Sequence, residues 1–279
     1  MAHHRPDLLN ELLCAIDDPR NDIYLHIDKK SCDDMGPELF KTSFSKLTLL
    51  PSISVHWGGY SQVECELNLL SAAISDCHHS YYHLLTGSTY PLRSQDDIHD
   101  FFMTNEGSEF INIVEEDYSH RVRYYWFIER IARAGMDTFL GKTRDRFIDF
   151  QRFCGIDRFS KYNMECKKGL AYWSITESLA MHLIQNRELI YKMMRHTYCG
   201  DEVFVQTIAY NSPFKERICN NSLRMTTWPI EKQYYRPSHS FTLNDIRRIL
   251  SSDDQFALKF EGDNGLDLIK FIRNVKWNQ

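Results

Sequence analysis

The chain has 279 residues, of which 43% are hydrophobic, and its formal net charge is −5 at pH 7. A chain of this length and composition can form one large domain or two small ones. The lack of any long basic run argues against a nucleic-acid partner. No stretch approaches the roughly 18 consecutive apolar residues of a membrane-spanning helix, and the N-terminal residues lack the pattern of a signal peptide.

The cysteines indicate neither a metal site nor a disulfide framework. None forms a C-x-x-C pair, and no His/Cys cluster has the spacing of a zinc site. Since no signal peptide is recognised, we expect reduced thiols and a cytoplasmic location. The cysteines are Cys14, Cys32, Cys65, Cys77, Cys154, Cys166, Cys199 and Cys219.

Helical and strand patterns alternate from the N-terminus onward. After Pro6, leucines recur at helical spacing and predict an amphipathic helix. A second helix is predicted to begin at Ser61, where apolar residues again fall on one face. Strands are predicted at residues 22–28, 53–57, 81–87 and 109–114. This alternation predicts an α/β fold with a mostly parallel central sheet flanked by helices.

The pattern changes after residue 117. Residues 117–170 are rich in Arg, Tyr and Phe and predict helices joined by long loops. Three later helices are predicted to begin at Ser174-x-x-Glu177, Gly200-Asp201 and Thr242-x-x-Asp245. The first of them is expected to run to about Arg195. Residues 256–260 predict a short strand.

Polar or glycine-rich residues follow three of the predicted strands. Asp28 ends the first, and the other two ends are Trp57-Gly58-Gly59 and Thr86-Gly87-Ser88. Ligands of open α/β sheets bind outside the carboxyl ends of the strands, so these residues predict a binding crevice. Each is also what an ordinary turn after a strand contains.

The first strand end, "HIDKK" at residues 26–30, raises the question of a metal. Enzymes that use nucleotide-sugars often end a strand with Asp-x-Asp, which holds a divalent cation on the diphosphate. Here Lys30 stands where the second acid would be. The pattern is either half of a metal site or a nucleotide site that works without metal.

Several longer segments together resemble one known family. They are "IYLHIDKK", "VHWGGYSQVECELNLL", "YYHLLTGSTYPLRSQDDI", "KKGLAYWSITES…YCGDEVFVQTIAYNSPFK" and "FALKF". In this order they are similar to the core-2/I-branching glycosyltransferases of glycosyltransferase family 14, which include β-1,6-N-acetylglucosaminyltransferases and peptide O-xylosyltransferases. The resemblance runs from about residue 2 to residue 273. It implies a GT-A-type fold in a single domain, with a nucleotide-binding half at about 1–115 and an acceptor and catalytic half at about 116–279.

The resemblance also implies an inverting transfer from a UDP-sugar that needs no metal. In this family basic side chains take the place of the cation on the diphosphate, where charge develops as UDP leaves. By position these are Lys259 and Arg236, with Arg224 as the alternative arginine. The other interpretation of Lys259 is a solvated lysine at a strand edge.

The catalytic base implied by the resemblance is Glu202, in "CGDEVF". It would take the proton of the acceptor hydroxyl as that oxygen attacks C1 of the donor sugar. We expect it in the first turn of a helix, where the dipole favours the ionised form. Acids at a helix start are also common without a catalytic role, and Asp201 is expected to cap and orient this helix.

Both substrates have further candidate residues. The resemblance implies that Asp28 accepts hydrogen bonds from the uridine or ribose, and that Thr89 replaces an acid that other members carry. On the acceptor side, Trp173 and Trp228 would either stack on sugar or pack in the core. The donor pocket would be shaped by Trp57, Gly58, Ser61, Thr86 and Gly87.

N-acetylglucosamine is the expected donor sugar, with xylose, galactose and glucose as open alternatives. The acceptor would be a saccharide or glycolipid, and the expected setting is a bacterial enzyme of surface polysaccharide synthesis at the cytoplasmic face of the membrane. Because the family's first strand would precede "MAHHRP", Met1 is expected to be an internal methionine of a longer chain. A catalytically inactive nucleotide-sugar or glycan-binding module is the alternative from another class, while the lack of a second assigned carboxylate disfavours a glycoside hydrolase.

Overall fold

A computed structural model describes residues 1–127, 138–227 and 239–276. Its helices are α1 Pro6–Ile16, α2 Tyr60–Asp76, α3 Gln95–Thr104, α4 His120–Arg123, α5 Phe139–Phe153, α6 Glu177–Gln185, α7 Arg187–Met194, α8 Phe204–Tyr210, α9 Ile246–Ser251 and α10 Gly262–Lys276. Its strands are β1 Asp22–Leu25, β2 Lys46–Leu49, β3 Tyr81–His83, β4 Tyr90–Pro91, β5 Glu109–Ile111, β6 Trp173–Thr176, β7 Ile218–Cys219, β8 Arg224–Met225 and β9 Phe256–Ala257.

The strands of the described residues pair in three sheets. β1 and β2 form a parallel pair, and the other sheets have the orders β3-β6-β5-β7 and β4-β9-β8. β6 runs antiparallel to both β3 and β5, whereas β5 and β7 are parallel. β9 is antiparallel to β4 and parallel to β8. The predicted α/β class is confirmed, but the expectation of a mostly parallel sheet is wrong, because parallel and antiparallel pairings are mixed.

The chain divides into two compact units, each assembled from separate stretches. The first unit comprises Met1–Ser52, Leu85–Glu106 and Leu223–Gln279, and the second comprises Ile53–Leu84 and Gly107–Ser222. These units are not the two halves into which the sequence analysis divides the chain. The prediction of a single glycosyltransferase domain is not tested by this grouping and stays a prediction.

In the first unit, α1 forms where the sequence predicts it. Pro6 occupies its first turn, where a missing N–H is harmless, and Leu8, Leu9 and Leu12 are buried along one face. The helix packs against α10 and β4. Beside β1, the backbone of Ala2 forms a parallel bridge with Ile27.

In the second unit, α2 supplies the helix against which α6 and α7 pack. Val63, Leu67 and Leu70 of α2 are buried. At the junction of β6 and α6, the buried carboxylate of Glu109 accepts hydrogen bonds from the backbone N–H and hydroxyl of Thr176, at 2.9 and 2.6 Å. A buried carboxylate is tolerated here because donors surround it.

Two local predictions are corrected by the structure of the second unit. Residues 53–57 form no strand, because the N–H of His56 donates to the Ser61 hydroxyl at 2.8 Å and its carbonyl accepts from Gly59 at 3.0 Å. These local bonds compete with sheet pairing. The predicted helix cap at Ser174 is also wrong, since Ser174 lies within β6 and Thr176 caps α6 by accepting from the N–H of Leu179.

The single helix predicted to run to about Arg195 is broken into α6 and α7 at Asn186. The side-chain amide of Asn186 donates to the carbonyl of His182 at 2.8 Å and competes with the helical bond there. In the first unit, by contrast, Thr242 and Asp245 form the predicted capping box. Their reciprocal bonds begin the turn that leads into α9.

The structure also gives the state of the cysteines and the character of the helices. Each of the eight cysteines carries a free thiol. Among the helices that the structure describes, none combines the length and the hydropathy that crossing a bilayer requires.

The burial of α2 predicts a large effect of a core truncation. Leu67 is fully buried, so Leu67→Ala should lower the free energy of unfolding by about 2–5 kcal/mol through lost burial and a residual cavity. Urea denaturation measures this quantity. Leu243→Ala is the control, because Leu243 is 61% exposed and its truncation should change stability by about 0.5 kcal/mol or less. Equal effects of the two substitutions would contradict the described packing.

Candidate active site

Glu202 lies in a single 3-10 turn, Gly200–Glu202, that precedes α8. Cys199, in the left-handed conformation, leads into the turn, and its carbonyl accepts from the N–H of Glu202 at 3.2 Å. Gly200 packs closely on α2, where an added Cβ would lie 3.3 Å from a methyl group of Val63. Glu202 therefore lies in the first turn of a helix, as predicted, but the helix is a single 3-10 turn before α8, too short for a substantial dipole.

Two cations contact the Glu202 carboxylate instead. The Arg121 guanidinium donates to Oε2 at 2.6 Å, and the Lys168 ammonium lies 3.3 Å from the same oxygen. Within the described part of the chain, no hydrogen bond is formed by Oε1. About a quarter of the Glu202 side chain is exposed, at 24%. The carboxylate is therefore paired with two cations through one oxygen and is partly exposed, an arrangement compatible with a general base.

The guanidinium of Arg121 is itself held by aromatic rings. It lies 5.2 Å from the ring centre of Tyr118 and 5.5 Å from that of Tyr198. Lys168 also lies over the Tyr118 ring, at 4.8 Å. Burial lowers the pKa of Arg121, but Glu202 and other neighbours raise it by more, so the net shift is upward. The cation that orients Glu202 thus stays charged although it is largely buried.

Asp201 occupies a different environment from its neighbour Glu202. Its side chain is buried, Gln62 donates to Oδ2 at 3.1 Å, and Oδ1 has no hydrogen-bond partner among the described residues. Burial, and then the charge of Glu202, raises the pKa of Asp201 to about 7. Asp201 caps no helix, so that expectation is wrong. It is a buried acid that is neutral at mildly acidic pH.

Gln62 joins this turn to the Trp57-Gly58-Gly59 motif. The Gly58 N–H donates to Oε1 of Gln62, and the Gly58 carbonyl accepts from the N–H of Cys199 at 2.9 Å. Trp57 is 45% exposed and contacts Tyr198 edge to face, with ring centres 6.0 Å apart. In the second unit, Trp57 and Gly58 therefore lie next to the turn that carries Glu202.

Trp173 lies on the buried side of the same unit. Its ring is 3% exposed in β6, and its indole N–H donates to Oε2 of Glu66 at 3.3 Å. Burial, and then the charge of Asp201, raises the pKa of Glu66 well above its usual range. This environment favours core packing of Trp173 over stacking on a sugar. Its predicted acceptor contact is untested and stays a prediction.

The first unit holds the candidates around Asp28. The Asp28 carboxylate accepts from the backbone N–H of Lys30 at 3.0 Å and lies 3.2 Å from the Lys30 ammonium. Lys259 follows β9, is 38% exposed at its side chain, and has Glu261 at 3.9 Å. Burial lowers the pKa of His3, Lys259 and Lys30 contribute in the same direction, and Asp28 opposes them. Asp28 and Lys259 therefore both lie within electrostatic reach of one imidazole.

Thr86 and Gly87 belong to the same unit. The N–H of Thr86 donates to the hydroxyl of Thr89 at 3.1 Å, so the residue that replaces the family's acid closes a local turn. The N–H of Gly87 donates to the carbonyl of Met1 at 3.0 Å, and an added Cβ would lie 3.3 Å from that of Ala2. Gly87 therefore serves close backbone packing in this structure.

Three candidate residues remain, and the structure describes one of them. Arg236 and Trp228 lie outside the described residues. Arg224, the alternative to Arg236, is buried in β8 with its guanidinium 4.7 Å from the ring centre of Phe256. This packing ties Arg224 to the core of the first unit.

Comparison with known proteins identifies the family of this chain. The family model described as "Branch: Core-2/I-Branching enzyme" matches residues 1–250. The chain belongs to the core-2/I-branching enzyme family. The mixed α/β structure of the described residues is consistent with the GT-A-type fold expected for this family.

A curated relative supports this assignment. The chain is 23% identical over 231 residues to the xylosyltransferase oxt of Drosophila melanogaster, an alignment that covers 79% of this chain and 24% of that protein. The chain thus spans about a quarter of the length of that relative.

The residues that hold the Glu202 carboxylate of this core-2/I-branching enzyme were missed from the sequence. Arg121 lies in the Arg- and Tyr-rich stretch after residue 117, and Lys168 lies in the "KKGLAYW" segment. Both were visible as basic residues, but their partner is 81 residues away from Arg121. Only the tertiary fold connects them.

The raised pKa of Asp201 predicts a pH-dependent effect of Asp201→Asn. Between about pH 4 and pH 7 the folded protein holds a proton that the unfolded chain releases, so the free energy of unfolding falls as pH rises. Asp201→Asn has no titratable group at this position, so this contribution to the pH dependence of the free energy of unfolding is absent from the variant. Its stability relative to the wild type should therefore increase from pH 5 to pH 8, on the order of 1–3 kcal/mol.

Urea denaturation at both pH values measures the change. The exposed Asp253→Asn is the control, and its stability relative to the wild type should be the same at both pH values. A constant difference for Asp201→Asn would refute the proton held at this position.

Proposed function

We propose that this enzyme transfers a sugar from a UDP-sugar to a saccharide hydroxyl with inversion and without a metal, using Glu202 as the base. The observation that carries the proposal is the contact of Arg121 and Lys168 with one oxygen of Glu202. A partly exposed carboxylate that is oriented by two cations through one oxygen suits proton abstraction from a hydroxyl through the other oxygen.

The proposed reaction is a single displacement. The acceptor oxygen attacks C1 of the donor sugar while its proton passes to Oε1 of Glu202. The bond from C1 to the phosphate oxygen breaks, and UDP leaves with that electron pair. Attack opposite the leaving group inverts the configuration at C1. Arg121 and Lys168 orient Glu202 before the proton is transferred.

Cations of the protein would stabilise the leaving diphosphate. Lys259 and Arg236 are the residues proposed for this role, by resemblance to the family. Lys259 is part-exposed, and its distance of 3.9 Å from Glu261 exceeds that of a strong hydrogen bond, so its ammonium can turn to a phosphate oxygen. The pairing of Asp28 with Lys30 also supports a metal-free site, because a base fills the place of a second acidic ligand.

The donor is proposed in a stated order. UDP-N-acetylglucosamine comes first, because the family includes branching N-acetylglucosaminyltransferases. UDP-xylose is the second candidate, favoured by the relative that is named a xylosyltransferase. UDP-galactose and UDP-glucose complete the set. The acceptor class is a saccharide or glycolipid, and the proposed place of action is the cytoplasmic face of a membrane.

An inactive nucleotide-sugar or glycan-binding module is the alternative. A binding protein has no need of a base that is oriented by two largely desolvated cations, and desolvating charged groups costs free energy. The contacts of Glu202 therefore favour the enzyme over the binding module.

Release of UDP from a panel of UDP-sugars in excess EDTA tests the proposal. One donor should turn over, at least slowly by hydrolysis, and Glu202→Gln should reduce turnover by about 100-fold or more while donor binding survives. Glu188→Gln, which removes an exposed carboxylate of α7, is the control and should keep full turnover. A requirement for added manganese would refute the metal-free reaction. Donor binding with no turnover on any acceptor would favour the binding module.

Arg121→Lys tests the orientation of the base. Lysine keeps the charge but lacks the planar guanidinium that is held between Tyr118 and Tyr198. Turnover should fall by about 10- to 100-fold, with little change in the apparent KM for the donor. Arg123→Lys is the matched control on the same helix, since Arg123 pairs with Asp157 and not with Glu202. A similar loss in both variants would contradict the proposed role.

A further inference from the structure

Helix α5 carries an apolar face that is open to solvent. Its opposite face is buried through Gly141, Ile148 and Gln151. The exposed residues include pairs at spacings of three, seven and eleven, which places them on one side of the helix. They are Phe139, Leu140, Phe147, Phe150 and Phe153, of which Phe139 and Phe153 are more than four-fifths exposed, at 82% and 89%.

The aromatic surface continues beyond the helix. Phe127 is 57% exposed, and its ring centre lies 5.6 Å from that of Phe147. A contiguous exposed apolar surface of this kind is unfavourable in water and usually marks a binding site. A row of aromatic side chains along a helix suits a partner that offers a wide apolar region rather than a partner with one small pocket.

The charges on α5 indicate what that partner is. The helix carries four basic and two acidic residues in a chain whose net charge is −5. Asp145 and Asp149 are paired with Arg144 and Arg152 within the helix. Lys142 and Arg146 are exposed and form no ion pair with the described residues. By helical spacing Lys142 lies at one border of the apolar face, and Arg146 lies within it, seven residues from both Phe139 and Phe153.

We infer that α5 is a membrane-binding helix that lies in the surface of an anionic lipid bilayer. Phenylalanines on one face, with Lys142 at its border and the long Arg146 side chain among them, form the pattern of a helix that lies in the membrane interface. The apolar rings would enter the acyl boundary, and Lys142 and Arg146 would contact acidic headgroups. The inference rests on α5 alone and does not depend on the proposed transfer reaction.

A second copy of the chain fits this face less well. Two copies packed through the same face would bring the uncompensated Lys142 and Arg146 of both helices to one interface. Like charges at a desolvated contact oppose association. An acidic lipid surface supplies the opposite charge over the whole length of the helix.

Sedimentation of the full chain with vesicles tests the inference. The vesicles are phosphatidylcholine alone or phosphatidylcholine mixed with phosphatidylglycerol. The wild type should bind the mixed vesicles, and salt should weaken the binding. Phe150→Ser with Phe153→Ser, and separately Lys142→Glu with Arg146→Glu, should each weaken the binding by about tenfold or more.

Matched variants elsewhere on the surface control for general effects. Phe44→Ser removes a phenylalanine that is 70% exposed in the first unit, and Arg247→Glu with Lys270→Glu reverses two exposed charges there. Both should bind mixed vesicles as the wild type does. All substituted side chains are exposed, so the thermal unfolding of every variant should match the wild type.

Three outcomes would overturn the inference. The first is no binding of the wild type to either vesicle, and the second is unchanged binding of the α5 variants. The third is equal binding to both vesicle types, which would remove the role of the acidic lipid. Light scattering could instead show a wild-type dimer that Phe150→Ser with Phe153→Ser dissociates, with no vesicle binding. That result would mean that a second copy of the chain, and not a bilayer, covers this face.

Discussion

Competition for charge among three neighbouring carboxyl groups is the constraint on which the candidate site depends. Glu66, Asp201 and Glu202 interact electrostatically within one partly buried region, where all three cannot be ionised cheaply. Of these three carboxyl groups, Arg121 and Lys168 contact only that of Glu202. The two cations therefore lie beside the one carboxyl group of the three that is partly exposed. Burial leaves the other two as acids that favour their protonated forms.

The neutral acids are useful because of what they bind. A protonated or partly protonated Glu66 can sit beside the Trp173 indole in the core, and Asp201 can accept from Gln62 without a buried counter-ion. The side chain of Gln62 also accepts a hydrogen bond from the N–H of Gly58. Gly58 has a φ of 74°, a backbone conformation that favours glycine. The glycine motif, the start of α2 and the turn of Glu202 thus form one connected structure within the second unit.

Sequence patterns predict the parts of this protein that local chemistry determines. The first helix after Pro6 and the capping box of Thr242 and Asp245 depend on residues a few positions apart, and both are confirmed. Ser174 shows the limit of the same argument. The residue has the spacing of a helix cap, yet pairing of β6 with its neighbours places it inside a sheet. Tertiary pairing outweighs a capping preference of about 1 kcal/mol.

The candidate site shows the same division. Glu202 could be found because its motif is contiguous in the sequence. Arg121 and Lys168 could not, because the sequence offers many basic residues and no rule of spacing selects two of them. The environment of Asp201 was equally hidden: its position beside Glu202 suggests a helix cap, and only the packing of α2 and the turn shows that it is buried.

Helix α5 shows why a helical apolar pattern does not by itself define a core. Its phenylalanines have the periodicity of a buried face, but the face that packs on the second unit is the narrow one of Gly141, Ile148 and Gln151. Small and polar residues allow close packing on that side. The larger apolar surface then remains outside, where its burial requires a partner. Exposed phenylalanines with Lys142 and Arg146 on the same side of the helix match an anionic lipid surface, because such a surface can bury the rings and pair with the cations along the whole helix.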